Sequence, residues 1–302
     1  ISSHGSMCDH NFCYNTDRKG GGAMYRIKTW EELTIQDNFL FQKVMQNKRI
    51  CKHLIELILQ IKIKDISFPE TEKSMGSRYD RKSIRLDVYV EDEAGRVFDI
   101  EMQCTDGHDD ALAKRTRYYQ GSIDMDLLEK GHIYEELKPT FIIFICTFDP
   151  FRQGLPMYTF RNRCIEQEGL ELGDQTTKLF LNCKGNSDTI DPDIAAFLRY
   201  VDGKSAEGAF VKQIDKELIH VKRHDETRRE YMTLAMEMER MKKIVSQEAR
   251  EEGKAEGRVE GATETTKTIA KEMLLKGIAI EVVSSCTHLP VEQLQEIAKE
   301  TH

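Results

Sequence analysis

The stretch RLDVYVEDEAGRVFDIEMQ, residues 85–103, constrains this chain more than any other. Two runs alternate apolar and polar residues with the period of a strand, and Glu93, Ala94 and Gly95 join them. A three-residue hairpin loop takes its last residue in the left-handed region, which glycine enters without steric cost. That loop sets the register. Asp87 faces Glu101, Arg85 faces Gln103 and Tyr89 faces Asp99, and period two puts all six on one side. The other side is Leu86, Val88, Val90, Phe98, Ile100 and Met102, a core face.

Directly opposed strand residues have Cβ atoms about 4.5–5.5 Å apart, where like charges repel. Asp87 and Glu101 at that spacing, with Asp99 as a third carboxylate, call for a cation or a shared proton. Water is the other answer, because exposed sheet faces are commonly charged. Spacing alone leaves both open. A hard cation such as Mg2+ or Mn2+ suits carboxylate oxygens and keeps positions for phosphate oxygens. In phosphodiester hydrolysis such an ion lowers the pKa of a bound water and stabilises developing charge.

The rest of the chain reads as an α/β core followed by helices. Apolar residues recur at helical spacing over 34–45 and 48–61; IKIKDISF (61–68) alternates like a strand and stops at Pro69. Leu112, Tyr119, Ile123 and Leu127 mark a helix within 109–130, ended by Gly131. FIIFICTF (141–148) is apolar on both faces, as a central strand is, and KLFLN (178–182) reads as another. Asp191 and Pro192 open the helix of DPDIAAFLRYV.

Beyond residue 205 the sequence is long, charged and helix-favouring, with Gly253, Gly257 and Gly261 along one line of a helix surface. Each such glycine costs about 1 kcal/mol relative to Ala unless packing uses it. The expected organisation is a tag remnant and polar leader over 1–24, a core over 25–205, a charged helical arm over 206–262 and a helical hairpin over 263–302. The hairpin carries EQLQEI, acidic where a DNA-reading helix is basic, so self-association is expected of it ahead of docking to DNA, with a dimer or larger homo-oligomer formed through residues 206–302.

Composition narrows the partners. No apolar run approaches the ~18 residues of a membrane span, and a cytoplasmic protein away from the membrane is expected. Eight cysteines without a CxxC pair are expected to be reduced thiols. Cys8, His10 and Cys13 in the polar leader, and His220 with His224, lack the further ligands of a metal site, and none is expected there. A net charge of −8 argues against nucleic-acid binding over the whole surface and leaves local basic clusters. Arg78, Arg81, Lys82 and Arg85 precede the hairpin; Lys114, Arg115 and Arg117 follow it. Arg115, Arg117, Tyr118 and Tyr119 open the next helix, where they can meet a phosphate or stack on a base. Core packing for Tyr119 and solvation for the arginines is the alternative.

A strand Asp followed fourteen residues later by Glu-x-Gln resembles motifs II and III of the PD-(D/E)XK nuclease superfamily, with Gln for the usual Lys. With DNFLFQKVM, KRTRYYQGSIDMDLLEKGHIYEELKPTFIIFI and the glycine-spaced arm, the chain is similar to the PD-(D/E)XK nuclease family transposases of the Rpn type, the recombination-promoting nucleases. The likeness runs from about Thr34 to about Gly261. It implies a restriction-endonuclease-like α/β core, a mixed sheet flanked by helices, with an all-helical C-terminal arm.

The resemblance also implies an Mg2+-dependent (or Mn2+-dependent) DNA endonuclease linked to recombination or mobile elements. Asp87 and Glu101 would hold the metal with the Met102 carbonyl, Gln103 would take the place of the catalytic Lys, and Arg85, Lys114, Arg115, Arg117 and Tyr118 would meet DNA. An acid on the first helix is expected from Asp37 or Glu56. The proline that gives the superfamily its name is absent, since Leu86 precedes Asp87. Gln103 can orient water or donate to a phosphate oxygen, but it brings no positive charge. A catalytically inactive binding or regulatory protein on the same fold is therefore the alternative, and an RNase with the same metal site a third reading.

Overall fold

A computed structural model describes residues 15–17, 24–68, 74–75, 84–104, 112–128 and 133–299. Arg78, Arg81, Lys82 and the Cys8, His10, Cys13 group lie outside them. The chain forms two compact units, Ile1–Met232 and Thr233–His302.

Two small antiparallel ribbons, β1 (Asn15–Asp17) with β2 (Met24–Arg26) and β4 (Ser74–Met75) with β5 (Ile84–Arg85), accompany the main sheet of the first unit. That sheet has six strands: β3 (Ile66–Ser67), β6 (Val88–Asp92), β7 (Val97–Gln103), β8 (Thr140–Cys146), β9 (Met157–Phe160) and β10 (Thr176–Asn182). Their spatial order is β3-β6-β7-β8-β10-β9, with β7, β8 and β10 parallel and the outer pairs antiparallel. A parallel neighbour needs a long crossover, and between β7 and β8 it is α3 (Leu112–Leu127), which packs on β8. α1 (Asn38–Met45) packs on β7 and α2 (Lys48–Leu59) on β3. α4 (Pro192–Val201) and α5 (Ala209–Arg223) pack on these helices and on each other.

From Val88 to Glu91 the hairpin adopts the register expected from its loop, but Arg85 pairs with Ser74 of β4 and not with Gln103, because the chain leaves the ladder before it. Val88 pairs with Ile100, Tyr89 with Asp99 and Val90 with Phe98, and Gly95 has φ +76°. The turn is pinned by Asp92, whose Oδ1 accepts from the N–H of Ala94 (3.0 Å) and of Arg96 (2.9 Å) while Oδ2 accepts from Arg96 Nε (2.6 Å). At the other end the chain bends at Asp87 and the ladder stops at Val88. Leu86 consequently joins Tyr89, Tyr119, Ile123 and Phe144 in one apolar cluster, not the opposite face that strict alternation gives it.

Every residue of β7 is buried, on both faces. Val97 and Tyr89 pack towards α3, where Tyr119 and Phe144 have ring centroids 6.1 Å apart and Phe144 stacks on Phe180 at 5.5 Å. β7, β8 and β10 run in step, so Gln103, Cys146 and Asn182 end level with one another. The carboxyl ends of parallel strands are where open α/β sheets place their ligands.

The first unit runs past the 205/206 boundary that composition suggests. α5 buries Phe210, Val211, Ile214, Leu218 and Val221, an apolar stripe on an otherwise charged helix. α6 (Asp225–Leu275) begins in the same unit, where Tyr231 packs on Trp30 and Phe39 and donates from its hydroxyl to the Lys28 carbonyl (2.6 Å). In the second unit the rest of α6 precedes α7 (Ile280–Thr287) and α8 (Val291–Lys299), two short helices about the THLP turn. Ala270, Val283 and Leu294 form their buried centre.

Among the described residues no helix is long and apolar enough to cross a membrane. Among the described residues Cys51, Cys146, Cys164, Cys183 and Cys286 are free thiols, but Cys104 is disulfide-bonded. The expectation that all cysteines are reduced is corrected at that position, because spacing along a chain does not reveal which thiols meet in space.

Candidate active site

Asp87 and Glu101 meet where the hairpin ladder ends. The N–H of Asp87 donates to Glu101 Oε1 at 2.8 Å, and the N–H of Met102 donates to Asp87 Oδ2 at 3.0 Å. Side chains thus replace the ladder bonds that the bend removes. From α1, Gln42 Nε2 (3.1 Å) and Asn38 Nδ2 (3.3 Å) donate to Asp87 Oδ1. The two amides stand four residues apart and share one face of that helix.

Water does not cover this side of the hairpin. Asp99 is 0 % exposed, Glu101 1 %, Gln103 7 % and Asp87 9 %. Neither oxygen of Asp99 has a hydrogen-bond partner among the described residues, although the Glu101 carboxyl is a close electrostatic neighbour. Burial holds all three acids well above the ordinary carboxylate range. Glu101 adds repulsion at Asp87, Asp87 at Asp99, and Asp99 at Glu101, while the charge of Arg115 acts in the opposite direction on each.

Arg115 enters from the first turn of α3. Its Nη1 donates to Gln103 Oε1 (2.9 Å) and its Nη2 to the Tyr119 hydroxyl (3.0 Å), and its guanidinium lies 5.5 Å from the ring centroids of Tyr119 and of Phe144. The same burial pushes the Tyr119 hydroxyl far above its usual pKa. Three carboxylates against one guanidinium leave two negative charges in excess when all are ionised, the charge that one divalent cation offsets.

The donors fit a hard ion. They are oxygens, and the orphaned pair on Asp99 shows that the site is short of positive partners. No group of three or more His, Cys, Asp or Glu among the described residues is arranged to hold a metal. A cation at Asp87 and Glu101 would therefore complete its shell with backbone, water or substrate oxygens, as Mg2+ habitually does.

The remaining expected residues are distributed as follows. Asp37, just before α1, accepts from Lys28 Nζ (2.8 Å) and the Thr34 N–H (2.7 Å). Glu56 accepts from the Ile63 N–H (2.8 Å) and pairs with Lys52 (3.6 Å). The α1 groups bonded to Asp87 are the amides Asn38 and Gln42, which period and composition do not single out. Lys114, Arg117 and Tyr118 are exposed on α3, Tyr118 by 41 %, whereas Tyr119 is buried. The backbone of Arg85 belongs to β5, and its side chain lies outside what is described. His220 on α5 and His224 just past its end approach with Nε2 atoms 3.0 Å apart, without a third ligand among the described residues.

No curated protein and no solved structure matches the chain. A family model does, across the stretch that contains α1, the hairpin, α3 and the three parallel strands. Residues 38–184, just under half of the chain, match the family model of the PD-(D/E)XK nuclease family transposases.

Proposed function

We propose that the protein is a divalent-metal-dependent DNA endonuclease that hydrolyses phosphodiester bonds at Asp87 and Glu101, with Mg2+ or Mn2+ as its ion. The observation that carries this reading is the bonding of two buried carboxylates through one another's strand ends. The family match makes a nuclease- and recombination-related function the frame, and PD-(D/E)XK nucleases in general use divalent ions.

Bound there, the ion supplies a Lewis acid and a water of lowered pKa. The chain's own groups do the rest. Gln42 and Asn38 fix the Asp87 carboxylate, and the Asp87 N–H fixes Glu101. Gln103 orients the attacking water or a phosphate oxygen. The water oxygen forms a bond to phosphorus, the bond to the leaving oxygen breaks, and that oxygen takes up a proton. Lys114, Arg117 and Tyr118, exposed on α3, together with Arg85, contact the nucleic-acid backbone or stack on a base.

The organisation we propose for this task keeps the catalytic residues within 25–205, packs α5 on that core, and leaves the rest of the arm (to 262) and the terminal hairpin (263–302) to mediate homo-oligomerisation. Light scattering that returns a monomer overturns the last point. Asn38 and Gln42, where an acid was expected from the first helix, favour the second reading, an inactive binding or regulatory protein.

Plasmid cleavage decides between them. Supercoiled DNA incubated with Mg2+, Mn2+ or EDTA should be cut only with metal, and not by Asp87→Ala or Glu101→Ala. Equal cutting by the variants removes the hairpin from the chemistry, no cutting at all favours the binding protein, and cutting of RNA alone favours the ribonuclease.

A further inference from the structure

We infer that Arg115 supplies the positive charge of the reaction centre, held in place by Gln103, so that the two residues together do what one lysine could do. This inference rests on the nuclease reading and moves Arg115 from the DNA backbone into the chemistry.

Three buried carboxylates and a neutral amide bring no cation of their own. As the new phosphorus–oxygen bond forms before the old one has broken, negative charge grows on the phosphoryl oxygens, and a fixed cation nearby stabilises it. Arg115 is the guanidinium whose charge acts on Asp87, Asp99 and Glu101 alike. Its position is over-determined. Bonds to Gln103 (2.9 Å) and Tyr119 (3.0 Å) fix both terminal nitrogens, and two aromatic rings lie at 5.5 Å.

The bond to Gln103 also orients the amide. A guanidinium only donates, so Oε1 faces Arg115 and the NH2 group points the other way. The pair thus presents a charge and a donor from the end of β7, where Gln103 stands level with Cys146 and its carbonyl accepts from the Thr147 N–H (3.0 Å). A counter-ion that merely neutralised carboxylates would need no bond to a neutral amide. Lys114 and Arg117, on the same helix, remain exposed.

An exchange of charge tests this. Arg115→Gln, Gln103→Lys and the double variant are assayed for metal-dependent plasmid cutting beside the wild type, with melting curves to show that each is folded. Arg115→Gln is expected to lower kcat by about 100-fold or more, with KM for DNA changed by less than about threefold. Gln103→Lys in that background is expected to recover at least about tenfold, because the charge returns.

Loss confined to KM, or no recovery in a folded double variant, overturns the inference. If Arg115→Gln does not fold, Arg115→Lys decides. It keeps the charge and gives up the planar fork, and about a tenth or more of wild-type kcat is expected to survive. A folded Arg115→Lys as inactive as Asp87→Ala overturns the inference. A wild type that binds Mn2+ in calorimetry yet cuts nothing overturns the nuclease reading and this inference together; a cutting wild type with an unrescued Arg115→Gln overturns this inference alone.

Discussion

The N–H of Asp87 donates to Oε1 of Glu101 over 2.8 Å, so the second carboxylate ties down the strand end that carries the first. The Met102 N–H binds Asp87 Oδ2 in return. Asp87→Asn and Glu101→Gln each keep an oxygen acceptor for these bonds and lose the charge. Both are expected to melt no lower than the wild type and to bind Mn2+ at least about tenfold more weakly by calorimetry. A folded Glu101→Gln with unchanged Mn2+ affinity removes Glu101 from the metal site.

Asp99 is the most exposed to a gain from substitution, although it is the least exposed to water. Its oxygens have no hydrogen-bond partner among the described residues, and burial raises its pKa. Asp99→Asn replaces a buried acid with an amide that can donate an N–H to Glu101. The metal-free variant is expected to gain about 1–2 kcal/mol in urea unfolding at neutral pH. A loss of that size instead means that the ionised carboxylate is itself stabilising.

The pH dependence follows from the same acids. Folding raises the pKa of Asp87, Asp99 and Glu101, so the native state holds protons that the unfolded chain releases near pH 4. Their contribution to stability is complete below that point and is lost as pH rises through the raised folded values. Melting temperatures in EDTA are therefore expected to fall as pH is raised above about 5 towards neutrality, and Mn2+ to restore them most at the higher pH. A melting curve that is flat in pH, with and without Mn2+, contradicts the buried-acid description.

At the far end of the hairpin, Asp92→Ala strips two backbone N–H groups and Arg96 of their acceptor. A cost of about 1–3 kcal/mol in chemical denaturation is expected. Gly95→Ala meets no atom within 4 Å of its new Cβ, so its cost is backbone strain at φ +76°, about 1 kcal/mol. If Gly95→Ala costs more than Asp92→Ala, the loop's conformation and not its carboxylate sets the turn.

A chain ending at residue 232 keeps the α5 stripe and Tyr231; one ending at 205 loses both. The first is expected to unfold cooperatively by circular dichroism and the second to be insoluble or molten, since Phe210, Val211 and Ile214 are each nearly fully buried. Cooperative unfolding of the shorter chain would show that α5 is an appendage.

The register of the hairpin and the partnership of Asp87 with Glu101 were legible because loop length and alternation determine them locally. What covers the acidic side was not, since alternation says which residues share a face and nothing of what lies over it. Arg115 was legible in principle. It lies three residues after Leu112 and four before Tyr119, in phase with the buried stripe of α3, while Lys114 and Arg117 are out of phase. The apolar stripe of α5 was hidden by the charge around it. Asn38 and Gln42 carry no sequence signal that separates an amide facing a carboxylate from one facing water.

β7 also says something about how such a strand can change over generations. From Val97 to Gln103 one edge of the pleat is core and the other holds the acids and the amide, all of it buried. No residue in it is exposed to water. A single inserted or deleted codon would exchange Glu101 for an apolar neighbour and drive a carboxylate into the hydrophobic layer, so stability and chemistry would be lost in one step. New behaviour in this lineage has to arise elsewhere, in the helices and loops that approach the strand's end.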